Sequence, residues 1–173
     1  MKKRKMTPGV FAFAAQTYLS RYFSSGFMLR RALERRAMRF IRKHGGSMEE
    51  AKPLIDAEVQ KNIETGRIND HTFAKTMIIE LQKNGYSTLK IKQKLFQKGI
   101  HSEVVAQVLQ EVQKDPKKTA LRYARKRGFG PYRAPHITED RSKKELASMV
   151  RAGHSYGISK EILSLSRDEI EEE

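Results

Sequence analysis

The chain has 173 residues, 38% hydrophobic and 32% charged, enough for one ordinary domain or a short array of small ones with a modest or divided core. Its 35 Lys and Arg against 20 Asp and Glu leave a formal net charge of +15, which draws polyanions over long range and makes nucleic acid the first partner to consider. Cysteine is absent, which excludes thiol catalysis, thiolate zinc sites and disulfides and fits a reducing, cytoplasmic setting.

The first apolar run is VFAFAA at residues 10–15. It follows MKKRK but is shorter than a secretory h-region and leads into a basic helix, so it reads as part of a helix and not as a leader. No stretch reaches membrane-spanning length. Ser25 precedes Leu29 and Leu33, with Ala37, Phe40 and Ile41 continuing the stripe. A serine ahead of apolar residues spaced by four marks a helix start, because its hydroxyl accepts from a free amide of the first turn. Residues 42–53, RKHGGSMEEAKP, read as a mobile linker, and Leu54, Ile55, Val59 and Ile63 as a third helix. Gly66 then stops that helix, Ile68 plugs the corner, and Asn69 or Asp70 caps the next one.

The pattern returns. Phe73-Ala74 lies 14 residues before Ser87, as Phe11-Ala12 lies 14 before Ser25, and Ser87 precedes Ile91 and Leu95. Gly99 ends that helix, Ile100 packs the corner, and Ser102 caps a helix whose buried face starts at Val104-Val105. A third unit opens at Pro116, with Ala120, Leu121 and Ala124 on one face, followed by a loop over residues 128–141. Ser142 again precedes aliphatics at +4 and +8, Leu146 and Val150. GISKEIL at 157–163 matches GIHSEVV at 99–105, which casts Gly157 as a helix stop, Ile158 as a plug, Ser159 as a cap and Ile162-Leu163 as a buried face. Residues 166–173, SRDEIEEE, are acidic and read as frayed. Sustained period-two alternation is missing. The expected fold is all-α: three tandem three-helix repeats forming an elongated, curved body. Its divisions are a basic segment with repeat one at 1–66, repeat two at 67–115, repeat three at 116–165 and an acidic tail at 166–173.

Charge follows the same rhythm. Residues 1–43 carry a net +11, residues 82–98 a net +5 and residues 117–133 a net +7, with acidic or near-neutral spacers between. One such block is an ordinary solvated helix face; three at intervals point to contact with a polyanion.

The corner GRINDHTFA at 66–74 is followed by an apolar helix, KNGYS at 83–87, Ile91, Leu95 and QKGI at 97–100. This succession resembles the RecX family, bacterial regulators of the RecA recombinase, most closely over 66–112 and in all over about 11–165. The resemblance implies three tandem three-helix repeats in a curved shape. It also implies binding along the groove of the RecA–single-stranded DNA filament, with filament extension, ATP hydrolysis and strand exchange limited. Direct binding of DNA goes with it and no cofactor is implied; the chain's own expectation is phosphate contact with single- or double-stranded DNA, a monomeric state and no membrane partner.

On that footing the contact residues are Arg30, Arg31, Arg35, Arg36 and Arg39 in unit one and Lys90, Lys92, Lys94 and Lys98 in unit two. Unit three supplies Arg122, Arg125, Lys126, Arg127 and Arg133. Arginine offers phosphate a planar two-donor fork and lysine a point charge. Tyr22, Tyr86, Tyr123 and Tyr132 are candidates to stack on bases, or to pack helix boundaries. The histidines 44, 71, 101, 136 and 154 lack metal-ligand spacing and read as surface or capping residues. Glu49-Glu50 and Glu139-Asp140 fall in expected loops without a catalytic partner, and phosphate-loop, dinucleotide and nucleophile-elbow patterns are missing, so the chain reads as a non-enzyme. A stand-alone DNA-binding helical module and a helical adaptor that binds only protein are the competing readings.

Overall fold

The structure, a computed structural model, describes residues 5–112, 115–134 and 141–171; His136, Glu139 and Asp140 lie outside them. All regular structure among the described residues is helical. The chain divides into two compact units, one of residues up to 74 with 97–104, the other of 75–96 with everything from 105 onward.

In the first unit α1 (Pro8–Leu19), α2 (Gly26–His44) and α3 (Met48–Glu64) pack against one another. Their core is Phe11, Ala15, Leu29, Leu33, Ala37, Ala51, Ile55, Val59 and Ile68, each nearly or wholly buried. The apolar residues recur every four positions because that spacing keeps them on one helical face. Ile68 fills the corner after α3, and Asn69 caps α4 (Asp70–Lys83) by accepting from the Thr72 amide at 2.9 Å.

The expected linker at 42–53 is a correction. Only residues 45–47 separate α2 from α3, and Glu49 and Glu50 stand in the first turn of a helix, not in a loop. Ser47 caps it, accepting from the Glu50 amide at 3.3 Å, and two carboxylates near the N-terminus complement the helix dipole. Pro53 lies inside the helix, where it forgoes the hydrogen bond that an amide there would donate to the Glu49 carbonyl. Buried Ala51, Ile55 and Val59 hold the helix in place.

The second unit holds most of α4, α5 (Thr88–Gln97) and α6 (Ser102–Glu111), then α7 (Pro116–Arg127), a 3-10 helix (Gly130–Tyr132), α8 (Ser142–Arg151), α9 (Tyr156–Ser164) and α10 (Arg167–Glu171). Ala120, Tyr123, Ala124, Met149, Ala152 and Ile162 form a core under α7, α8 and α9. Three expectations change here. Ser142 is the first residue of α8, the cap position belongs to Arg141 without a side-chain cap, and the buried residues of the helix are Glu145 and Met149, at +3 and +7 from Ser142. Leu146 is half-buried and Val150 is 43% exposed, so the stripe is shifted by one residue. α9 is capped by Ser155, whose Oγ accepts from the Ile158 amide at 3.3 Å, and Gly157 lies inside the helix while Ser159 is buried. Residues 167–171 are helical and not frayed: the Ser166 amide donates to the Glu169 carboxylate at 2.7 Å, and the Glu169 amide donates to Ser166 Oγ at 3.3 Å.

The helix stop equivalent to Gly99 is therefore Gly153, and the two corners are built alike. Both glycines take positive φ, +74° and +87°. A Cβ on Gly99 would fall 2.2 Å from Phe27, and one on Gly153 would fall 2.3 Å from the Ser87 hydroxyl. The carbonyl just before each glycine accepts a serine hydroxyl: Ser25 Oγ donates to Lys98 O at 2.7 Å, and Ser87 Oγ to Ala152 O at 2.9 Å.

Candidate nucleic-acid interface

Each cationic helix has an anchored start and a buried face that forces its charges outward. α2 begins at Ser25, whose Oγ accepts from the Met28 amide at 3.2 Å, while Asp70 takes the Gly26 amide at 2.9 Å. Thus Asn69 caps its own helix and Asp70 caps the arginine helix. With Leu29, Leu33, Ala37 and Phe40 buried, Arg31, Arg35, Arg36 and Arg39 are exposed. Arg30 is different: it ion-pairs with Asp56 on α3. Arg31 stands over the Phe27 ring at 6.0 Å and 3.9 Å from Glu34.

Between α1 and α2 runs a groove of about 600 Å³ lined by Phe13, Tyr18, Tyr22 and Leu33 together with Arg21, Arg35, Arg36 and Arg39. Phe13 is 69% and Tyr22 56% exposed, and the Tyr18 and Tyr22 rings lie 5.0 Å apart. Sequence reasoning found Tyr22 but missed Phe13 and Arg21. Their signal was present: Phe13 falls off the Phe11–Ala15 core stripe of α1, so a large aromatic had to face outward.

On α5, Ser87 Oγ accepts from the Lys90 amide at 3.2 Å and Ile91 and Leu95 are buried. Lys92 is exposed, Lys90, Lys94 and Lys98 are half-buried, and Lys94 Nζ lies 4.9 Å from the centre of the Tyr86 ring. Leu89 and Phe96 are 58% and 78% exposed on the same helix.

α7 is capped by Asp115, which accepts from the Lys118 amide at 2.8 Å, and buries Thr119, Ala120, Tyr123 and Ala124. Arg122, Arg125, Lys126 and Arg127 are exposed, the last three in the final turn where the helix dipole favours cations. Lys126 donates to Asn84 Oδ1 at 2.6 Å, and Arg127 lies 5.6 Å from the centre of the Tyr123 ring. Tyr123 is a core residue and Tyr132 is half-buried against that core, so neither is free to stack.

Arg133 does not face outward with them. Its Nε and Nη2 donate to the two oxygens of Glu145 at 3.0 and 2.7 Å, and the Gly130 amide donates to the same carboxylate at 2.9 Å. Glu145 occupies the place that Leu29 and Ile91 fill on α2 and α5. A recess of about 340 Å³ beside this pair is lined by Arg127, Arg141 and Lys144.

His154 is the histidine that departs from expectation: it is buried, not a surface residue. Its Nε2 is 3.0 Å from the Gly85 carbonyl oxygen, so that nitrogen carries the proton, and the ring lies 5.4 Å from Tyr123. Burial pushes its pKa below the usual 6.5, against the opposing pull of the Gly85 carbonyl. Among the described residues no three His, Asp or Glu side chains cluster as a metal site, and no helix is long and apolar enough to cross a membrane.

Comparison with known proteins gives this arrangement its context. Residues 69–109 match the family model described as RecX, second three-helix domain. The chain is 37% identical over 165 residues to a Regulatory protein RecX of Myxococcus xanthus (strain DK1622), covering 94% of this chain and 88% of that protein. It is 32% identical over 105 residues to a Regulatory protein RecX of Agrobacterium fabrum (strain C58 / ATCC 33970), covering 61% and 56%.

Proposed function

The chain belongs to the RecX family, and on that footing we propose that it regulates the RecA recombinase, mainly as an inhibitor. In this reading it lies along the groove of the RecA–single-stranded DNA filament and limits filament extension, ATP hydrolysis and strand exchange. Three tandem three-helix repeats, 1–66, 67–115 and 116–165, present the cations. The observation that carries the reading is that three helices with a capped start and a buried face turn Lys or Arg to solvent: α2 and α5, at matching places, and α7, which precedes α8, the counterpart of those two. Arg31, Arg35, Arg36, Arg39, Lys92, Arg122, Arg125, Lys126 and Arg127 take the phosphate contacts, with Lys90, Lys94 and Lys98 beside them. Arg30 and Arg133, held by Asp56 and Glu145, contribute through the positions they fix.

The groove between α1 and α2 favours a second reading, direct binding of unpaired nucleic acid by the isolated protein. Exposed aromatics interleaved with arginines supply stacking faces and phosphate partners together.

The test is a time course of RecA ATP hydrolysis on single-stranded DNA, with the protein added before and after filament nucleation. Changing Arg31, Arg35, Arg36 and Arg39 together to alanine should weaken inhibition. It should also lower the slope of log affinity against log salt by about 2 to 3, near 0.7 for each phosphate no longer neutralised. Helicity should not change. Undiminished inhibition by that variant would remove α2 from the contact surface.

A further inference from the structure

α8 stands in the register of α2 and α5, yet its cations have no role so far. Glu145 and Met149 are buried on it where Leu29 and Leu33 are buried on α2, and Ile91 and Leu95 on α5. Arg141 holds the cap position that Ser25 and Ser87 hold, and Gly153 repeats the left-handed corner of Gly99. The offset is constant, 54 residues from α5 and 116 from α2. By that offset Lys144 answers to Lys90 and Arg151 to Arg35. Both are exposed, as is Lys143. Seven residues apart, Lys144 and Arg151 share one face of the helix, about 10 Å apart along its axis. Glu145, the one carboxylate on α8, is buried and taken up by Arg133 and the Gly130 amide. The outer surface of α8 is therefore cationic. Lys144 also lines the 340 Å³ recess together with Arg127 from the end of α7.

We propose that α8 is a phosphate-contact helix for a nucleic-acid strand, with Lys144 and Arg151 as its main partners and Lys143 beside them. Within each repeat these cations leave the second helix at matching places relative to its buried face, so α8 offers a strand what α2 and α5 offer. Arg151 presents a two-donor fork and the lysines present point charges. The contacts go to phosphodiester oxygens and carry no sequence preference. Glu145 serves the same end from inside: a buried acid matched by Arg133 leaves no carboxylate on the helix surface to repel a phosphate. The proposal rests on the reading of α2 and α5 as polyanion contacts and not on the identity of the filament protein.

The test uses the full chain, a labelled oligothymidylate and fluorescence anisotropy over a series of salt concentrations, without RecA. One variant carries Lys143→Gln, Lys144→Gln and Arg151→Gln. A control removes the same charge from exposed cations on and just after α3, by Lys52→Gln, Lys61→Gln and Arg67→Gln. The α8 variant should weaken binding at least about tenfold at physiological salt and lower the salt slope by about 2, near 0.7 for each of three phosphates. The control should change binding less than about twofold. Urea unfolding of both variants should match the unmodified chain, because every altered side chain is exposed. Equal weakening by the two variants would mean that charge acts in bulk, and the proposal fails. Unchanged binding by the α8 variant overturns it as well. The α2 variant, Arg31, Arg35, Arg36 and Arg39 to alanine, separates the two levels. Loss with α2 but not with α8 refutes α8 alone; no loss with either refutes the cationic helices as contacts altogether.

Discussion

Removing Arg133 should cost more than removing its partner, Glu145. The Glu145 side chain is 5% exposed and that of Arg133 24%. Arg133→Met strips two donated hydrogen bonds from the carboxylate and leaves it the Gly130 amide. Breaking a buried pair from one side costs about 3–5 kcal/mol. The partial exposure of Arg133 lets water reach the gap, which places the expected loss near the lower end, about 3 kcal/mol. Glu145→Leu removes the buried charge and installs the residue type that Leu29 and Ile91 supply on the other two helices. The guanidinium left behind can turn to solvent, and one unmet amide at Gly130 sets a cost of about 1 kcal/mol. The double variant should be no worse than Glu145→Leu alone, giving a coupling of about 3 kcal/mol. Urea unfolding followed by far-ultraviolet circular dichroism measures all three. Equal costs for the two single variants, or a coupling below about 0.5 kcal/mol, the usual scatter for independent sites, would show that the pair is ornamental and that Glu145 is not a core position.

The corners and the buried imidazole give two more tests. Gly99→Ala should destabilise by at least about 2 kcal/mol, because a left-handed alanine costs about 1–2 kcal/mol and Phe27 must also move. Gly66→Ala, where φ is +69° and no atom stands within 4 Å, should show the conformational part alone; equal losses in urea unfolding would dismiss the role of packing. His154 is pushed below its ordinary 6.5, so the unfolded chain binds more protons than the folded one as pH falls through that value. Stability should therefore be full above pH 6.5 and decline as pH drops below it, towards the lowered folded pKa. Melting temperatures between pH about 7.5 and about 5.5 should show that decline, and His154→Gln, which retains a donor for Gly85, should flatten it.

The helical class, the serine starts at 25 and 87 and the Gly66–Ile68–Asn69 corner could all be read from spacing, because local chemistry alone decides them. What could not be read was decided by partners far along the chain. Residues 42–53 carry the glycines and proline of a loop, yet Ala51, Ile55 and Val59 are claimed by a core that includes Phe11 and Leu29. The stretch 142–150 misled because its aliphatics, Leu146 and Val150, sit one place off the buried stripe, whose own members include a glutamate that is tolerable only because Arg133 comes to meet it. The corner at Gly153 was hidden by a histidine standing where Ile100 stands after Gly99. Charge blocks point to the cationic helices, but charge alone does not distinguish Arg35, which lines a groove, from Arg30, which is held by Asp56.

The serines at the starts of α2 and α5 face two ways, accepting from an amide three residues ahead and donating to a carbonyl 73 or 65 residues downstream. On the ribosome those carbonyls emerge long after the helices they complete. A nascent chain therefore carries its positive charges on helices that are already capped locally but whose capping hydroxyls have not yet met the carbonyls they donate to.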